Sequence, residues 1–366
     1  MATTPVRVGI VGATVTTGGS GWGANAHVPA LQALPEFELK AVCTSREGTA
    51  RASAQAFGAE LAFHDIDEMV AHPDVDLVAV VVRVPWHRDL VMAGLRAGKP
   101  VFCEWPLGAN LTEAQEMADA ARERSLRTMV GLQARSDSHV RYARDLIADG
   151  YVGEVLVANV TVKPQAITER GTGRIWQADL ANGANPLTIP GGHTIDALCF
   201  LLGEFAEVSA RVATRIRHWR HTDTGEEVRV TAPDSISVAG RLVGDAEVAF
   251  QVATVPTNPT GTRIEIHGSE GSLVLTGPSA QIGPNQLVGA RGSDPMTELT
   301  PPARYTPIPG DTPAGSPWNV AQAYHRIAHA LRDGEPYDPD FAQALRRHRL
   351  IEAIGRSSQE RRAVAL

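Results

Sequence analysis

A glycine-rich run, GIVGATVTTGGSGWGANAHVPAL from Gly9 to Leu31, stands directly behind a short apolar segment and opens a helical pattern. Glycines in that context let backbone N–H groups approach a diphosphate, and the helix N-terminus beyond Gly23 adds unpaired donors and partial positive charge. Gly12, Thr14, Gly21, Trp22 and Gly23 are therefore expected to hold the pyrophosphate of a dinucleotide. The plain G-x-G-x-x-G spacing is not met, because a longer insert separates Gly12 from the Gly21-Trp22-Gly23 turn. Past the next apolar run comes Cys43-Thr44-Ser45-Arg46. NAD-binding domains usually place a carboxylate there for the adenosine ribose. Hydroxyls at Thr44 and Ser45 beside the Arg46 guanidinium suit a 2′-phosphate, so NADP is expected and NAD is the second choice.

Hydride transfer to a carbonyl also needs a group that delivers a proton to the developing alkoxide. Lys163, in EVLVANVTVKP, could point into a cleft where burial would lower its pKa toward a useful value, or could be solvated. His87 follows Pro85 beyond the LVAVVV run, at the crevice edge where ligands of open α/β sheets collect, with Val84 beside it. Gln133 and Arg135 leave TMVGLQ into the cleft and are candidates to contact substrate. Cys43, Cys103 and Cys199 are odd in number, far apart and free of CxxC spacing. They are expected to be buried thiols, and no metal site is expected.

These side chains need elements to hold them. Arg7–Val11, Phe37–Cys43, Leu77–Val82, Pro100–Glu104 and Thr128–Gln133 are short apolar runs separated by helical patterns, the mark of parallel strands with crossover helices. One helix is predicted over LTEAQEMADAARERS, with Thr112 and Gln115 as a capping box. Another runs from Ser138 to Asp149. Beyond Gly150 the runs lengthen and alternate, as in EVLVANVTVKP, GEFAEVSARVATRI, SISVAGRLVG, AEVAFQVATV and TRIEIHG, which predicts an antiparallel sheet. Gly277 to Pro317 is expected to be a long loop. Helices over Val320–Leu331 and Phe341–Ser357 close the chain.

The fold class is thus α/β: an N-terminal Rossmann doubly wound parallel sheet over residues 1–134, then a C-terminal α/β domain with a large, mostly antiparallel open sheet over 135–366. The chain of 366 residues is 43% apolar and 20% charged with a formal net charge of -7. That balance suits a globular protein with a sizeable core and argues against nucleic acid or anionic membrane as partners. With no signal peptide or apolar span visible, a cytoplasmic location is expected.

The chain resembles the glucose-fructose oxidoreductase, inositol dehydrogenase and rhizopine-catabolism family (Gfo/Idh/MocA) over nearly its full length. The likeness rests on GxxG…H-x-P-A-L at Gly9 to Leu31, AGKPVFCEWPL at Ala97 to Leu107, GLQAR at Gly131 to Arg135, GGHTID at Gly191 to Asp196 and IEIHGSEGSL at Ile264 to Leu273. It implies oxidation or reduction of sugars, polyols and related carbonyl compounds, and a homodimer or homotetramer formed through the C-terminal sheet. Within the family, GW before the helix, His27-x-Pro29, EW, GLQ-x-R, DGYVGEV and GHTID resemble the fungal galactose-regulon repressor, a silent NADP-binding relative.

The family's catalytic lysine of an EKP motif is replaced here, since the motif reads Glu104-Trp105-Pro106, and its usual aspartate is Ile189. Trp105 either stacks on the nicotinamide or packs in the core, and the resemblance implies a cis bond before Pro106. His193 matches the family's motif histidine and could donate the proton, and Asp196, one helical turn on, could orient it or a substrate hydroxyl. His87 matches a histidine beside the nicotinamide. Two readings follow: an NADP-dependent oxidoreductase of sugar-like or other hydroxylated or carbonyl small molecules with an atypical proton donor, or a non-catalytic NADP-binding regulator of a protein partner.

Overall fold

A computed structural model describes residues 4–15 and 21–366; Thr16 to Ser20 of the glycine-rich run lie outside the described residues. The chain divides into two compact units, the first comprising Met1–Leu132, Ala181–Gly183 and Pro307–Arg346, the second Gln133–Leu180, Ala184–Thr306 and Arg347–Leu366. The division falls beside residue 134, and it also gives the first unit a stretch near the C-terminus that the sequence reading had placed in the second.

The first unit carries β1 (Val6–Val11), α1 (Val28–Ala33), β2 (Phe37–Cys43), α2 (Glu47–Phe57), β3 (Leu61–Phe63), α3 (Ile66–Ala71), β4 (Leu77–Val80), α4 (His87–Arg96), β5 (Val101–Glu104), α5 (Leu111–Glu123) and β6 (Thr128–Gly131). The strands form one sheet in the order β3-β2-β1-β4-β5-β6, all pairs parallel. This is the doubly wound order whose reversal between β1 and β4 opens a ligand crevice at the strand ends. Strands β4, β5 and β6 are buried along their whole length, as apolar runs covered on both faces must be. Strands β4 and β6 stop two residues short of the predicted ends because the chain leaves the sheet into turns at Val84–Trp86 and Gln133–Ser136.

The cap of α5 differs from the expected one. Asn110 accepts from the Glu113 N–H at 3.0 Å while the Glu113 carboxylate accepts from the Ala109 N–H at 2.8 Å. An amide cap answered by an acid three residues on starts the helix before Thr112, which lies inside it.

The second unit continues with α6 (Ser138–Ala148), β7 (Val155–Lys163), β8 (Glu169–Arg170), α7 (Gly192–Leu202), β9 (Phe205–Ala213), β10 (His218–His221), β11 (Glu227–Arg229), β12 (Ser235–Leu242), β13 (Glu247–Ala253), β14 (Gly261–Gly268), β15 (Gly271–Gly277), β16 (Gln286–Arg291), β17 (Thr297–Glu298) and β18 (Val364–Ala365). Helix α8 (Ser316–Asp333) lies in the first unit, and α9 (Phe341–Glu360) follows it. Nine strands pair as β17-β16-β15-β14-β7-β13-β12-β9-β18, antiparallel except where β7 meets β13, and β11-β10-β8 form a small sheet. One face of the large sheet is packed: Ala158, Val160 and Val162 of β7 share a core with Ile195 and Leu198 of α7 and Ile354 of α9. The other face is open, as the strict alternation of buried and exposed residues along β12 shows.

The segment expected to be a long loop contains two strands, β16 and β17. QLVGAR was concealed by Gly289, which helical and strand patterns alike disfavour. A Cβ at 289 would come within 2.6 Å of a Leu299 methyl and 2.8 Å of a Leu273 methyl, so glycine lets these two side chains close over β16.

Candidate functional site

The cradle begins where β1 ends. Gly12 has φ +101°, and a Cβ there would sit 2.1 Å from the Val81 carbonyl oxygen, so only glycine fits between β1 and β4. Its N–H donates to Cys43 O at 3.1 Å, which sets the turn after β1 against the end of β2. A side chain at Gly23 would meet Ala13 Cα at 2.9 Å, so the helical entry is pressed onto the same turn. Gly21, at φ +67°, accepts from the Asn25 N–H at 2.7 Å and starts that entry, a wide turn over Gly23–His27 that runs into α1. Thr14 is half-buried and Trp22 partly so. Glycines at Gly12, Gly21 and Gly23 let the backbone come as close to a diphosphate as its oxygens need.

Thr44, Ser45 and Arg46 follow β2 on the neighbouring strand end. Thr44 donates its hydroxyl to Arg46 O at 3.0 Å, and Thr49 donates to the same oxygen at 2.9 Å, so the turn is fixed from within. Ser45 and Arg46 are exposed. The Arg46 guanidinium makes no ion pair among the described residues, unlike Arg7, whose guanidinium is bound to Asp74 and Asp76.

Glu104, Trp105 and Pro106 leave β5, with a cis bond before Pro106 as the resemblance implied. The Glu104 carboxylate is 2.8 Å from His27 Nε2, and His27 Nδ1 is 2.8 Å from the Tyr324 hydroxyl. The carboxylate rests on Gly131, where a Cβ would meet it at 2.6 Å. Burial pushes the Tyr324 phenol well above its ordinary range, so it acts as a neutral hydroxyl. This chain of three side chains was not foreseen; the H-x-P motif was its one local trace. Trp105 is buried.

His87 opens α4 with both ring nitrogens engaged, Nδ1 at 2.9 Å from Pro106 O and Nε2 at 3.1 Å from Val82 O. Two carbonyls favour the imidazolium, but burial outweighs them and holds the His87 pKa below the usual value. His87 thus ties the β4 end to the Pro106 turn. Val84 is buried beside it.

In the second unit, His193 sits in the first turn of α7 and is 5% exposed. Asp196 is fully buried and its carboxylate is taken in a fork by Arg135, Nε to Oδ2 at 2.8 Å and Nη2 to Oδ1 at 2.7 Å, with Arg347 Nε 3.7 Å from Oδ1. Asp196 is thus committed to an internal ion pair, and Arg135, expected to contact substrate, is committed with it. Lys163 lies in the row of Asn159 and Thr161, opposite the β7 face that α7 covers. The pleat therefore does not bring Lys163 to His193. Gln133 is buried in the turn after β6.

A parallel sheet in Rossmann order with a glycine cradle, followed by a nine-stranded open sheet, defines a nicotinamide-dinucleotide-binding oxidoreductase fold. Residues 6–132 match the oxidoreductase family with an NAD-binding Rossmann fold, and residues 138–277 match the C-terminal domain of Gal80p. The dehydrogenase aclE of Aspergillus oryzae is 35% identical over 256 residues, covering 68% of this chain and 70% of that one. The galactose/lactose metabolism regulatory protein GAL80 of Saccharomyces cerevisiae is 27% identical over 325 residues, covering 79% and 72%. The crystal structure of an oxidoreductase domain protein from Kribbella flavida superposes with a TM-score of 0.87 at 25% identity, covering 99% of each chain. The chain belongs to the Gfo/Idh/MocA oxidoreductase family, with a Gal80-like C-terminal region.

Proposed function

We propose that this chain is an NADP-dependent oxidoreductase acting on a hydroxyl or carbonyl carbon of a sugar-like small molecule. The observation that carries the cofactor choice is Arg46, an exposed guanidinium without an ion pair among the described residues, next to the end of β2 whose Cys43 carbonyl binds Gly12. A 2′-phosphate would find there a cation and the Ser45 hydroxyl. Gly12, Thr14, Gly21, Trp22 and Gly23 would hold the pyrophosphate. Val84, His87, Glu104, Trp105 and Gln133 would serve the nicotinamide end. When bound, the nicotinamide exchanges a hydride with the substrate carbon.

The protein's part is then the proton. Of the titratable groups singled out by the sequence, His87 is tied to two carbonyls, Asp196 to Arg135, and Lys163 lies on the other face of its sheet. The imidazole of His193, which matches the family's motif histidine, would give a proton to the developing alkoxide or take one from a hydroxyl. Asp196 acts as a positioning residue, fixing the first two turns of α7 through Arg135. The test is turnover of NADPH or NADP with a panel of sugars, polyols and lactones, lost in His193→Ala.

A second reading is favoured by Trp105 in place of the lysine and by the Gal80p-like region 138–277: a non-catalytic NADP-binding regulator that holds a protein partner. It differs in one outcome, tight NADPH binding with no turnover on any substrate. In either case the open sheet face, lined by small and polar residues such as Ser209, Ser237, Ala249 and Gln251, suits self-association into a homodimer or homotetramer. Among the described residues no helix is long and apolar enough to cross a membrane.

A further inference from the structure

At the edge of the first unit where the parallel strands begin, the fold gathers three side chains that none of the chemistry above uses. His325 and His329 lie four residues apart on α8, hence on one side of that helix, with ring centroids 4.5 Å apart. Glu36 immediately precedes β2, and its Oε1 is 2.9 Å from His325 Nδ1. One ligand atom from each of the three residues lies within 4.8 Å of the other two. The second carboxylate oxygen of Glu36, Oε2, is buried without a hydrogen-bond partner. An anionic oxygen in that state is costly unless a cation answers it. We propose that Glu36, His325 and His329 form a site for a divalent transition-metal ion of the zinc type.

The donor set decides the ion. Two imidazoles and one carboxylate suit Zn²⁺, Co²⁺ or Ni²⁺, and they disfavour Mg²⁺ and Ca²⁺, which need cages of oxygen. Three protein ligands leave one tetrahedral position for water. The surroundings also set a condition. The Arg332 guanidinium meets His329 Nδ1, and the same arginine is held by Asp333 at 2.9 Å. If Nδ1 is to bind the ion, Arg332 must give up that nitrogen and keep its carboxylate partner.

The location argues for clamping rather than catalysis. The Val6 N–H donates to Glu36 O at 2.8 Å, so Glu36 is at the start of β2, while Gly12 and Arg46 are past the far ends of β1 and β2. The seven residues of β2 separate the two by roughly 20 Å. An ion there would staple α8, which comes from much later in the chain, to the start of β2.

The test uses the full chain without a polyhistidine tag, titrated with Co²⁺ and read by visible absorption. The expected result is one ion per chain with the strong bands of tetrahedral cobalt, displaced by Zn²⁺ and not by Mg²⁺. Binding should be lost in His329→Ala and weakened at least about tenfold in Glu36→Gln. His329 is 44% exposed, so the alanine variant should fold, and unchanged NADPH binding would show that it does. Zn²⁺ should also raise the unfolding midpoint of the parent protein by a few degrees and leave that of His329→Ala unmoved. The proposal is overturned by absence of the cobalt bands, or by bands that persist unchanged in His329→Ala.

Discussion

Arg46 and His87 show how much a single side chain can be asked to do. Arg46 is legible from sequence because its meaning depends on a local position, the end of the second strand of a dinucleotide-binding unit. If it holds a 2′-phosphate, Arg46→Glu removes charge-assisted bonds worth about 1.5–3 kcal/mol, so NADPH affinity falls roughly 10- to 100-fold. NADH affinity should be nearly unchanged, and comparing the two by fluorescence titration checks the assignment. His87 was found in sequence for its place at the crevice, but its bonding to Val82 O and Pro106 O was not readable there.

Burial lowers the His87 pKa from 6.5, so below about pH 6.5 the unfolded chain binds a proton that the folded chain refuses. Stability attributable to this residue is complete above that pH and declines as pH falls toward the depressed folded value. Urea midpoints measured across that range should drop with acidity in the parent and more shallowly in His87→Gln. Equal slopes would remove His87 as the cause.

At the scale of elements, the sequence shows what alternates or caps locally and hides what pairs across distance. Five strands of the parallel sheet and β7, β9, β12, β13 and β14 of the large one were visible because their apolar residues run unbroken or alternate, whereas the short β3, β17 and β18 and the glycine-flanked β15 were not. Strand β16 was missed because Gly289 breaks its pattern. The buried fork of Arg135 on Asp196 spans 61 residues and has no local trace, so the sequence offers Arg135 as a substrate contact and Asp196 as an orienter of His193 or of a substrate hydroxyl without showing that they pair. Removing the carboxylate would take from the buried Arg135 guanidinium its two-point partner, while Arg347 keeps Glu204. Asp196→Ala is therefore expected to cost about 3–5 kcal/mol in a urea unfolding experiment, the size typical of breaking a buried pair. A loss below about 1 kcal/mol would mean that the fork does not hold α7.

At the scale of the whole molecule, the fold is common to dehydrogenases and to a regulator, so architecture alone does not choose between them. What differs is the use of the open sheet face and of a proton donor. The open sheet face has at its centre Ala249, opposite Ala239 on β12 and Asn159 on β7. If copies of the chain associate there, Ala249→Arg should reduce the mass measured by light scattering to that of one chain. An unchanged mass would place any self-association elsewhere.

The enzyme reading turns instead on the proton donor, because Trp105 stands where the family has its lysine. Its indole cannot carry out acid-base chemistry, so the enzyme reading stands on His193. The most direct measurement is steady-state nicotinamide absorbance for the parent and His193→Ala across sugars, polyols and their lactones, with NADPH binding measured alongside. The account predicts turnover by the parent, a fall of roughly 10²–10⁴-fold in His193→Ala, and equal NADPH affinity in both. NADPH bound tightly by the parent with no turnover on any substrate would contradict it.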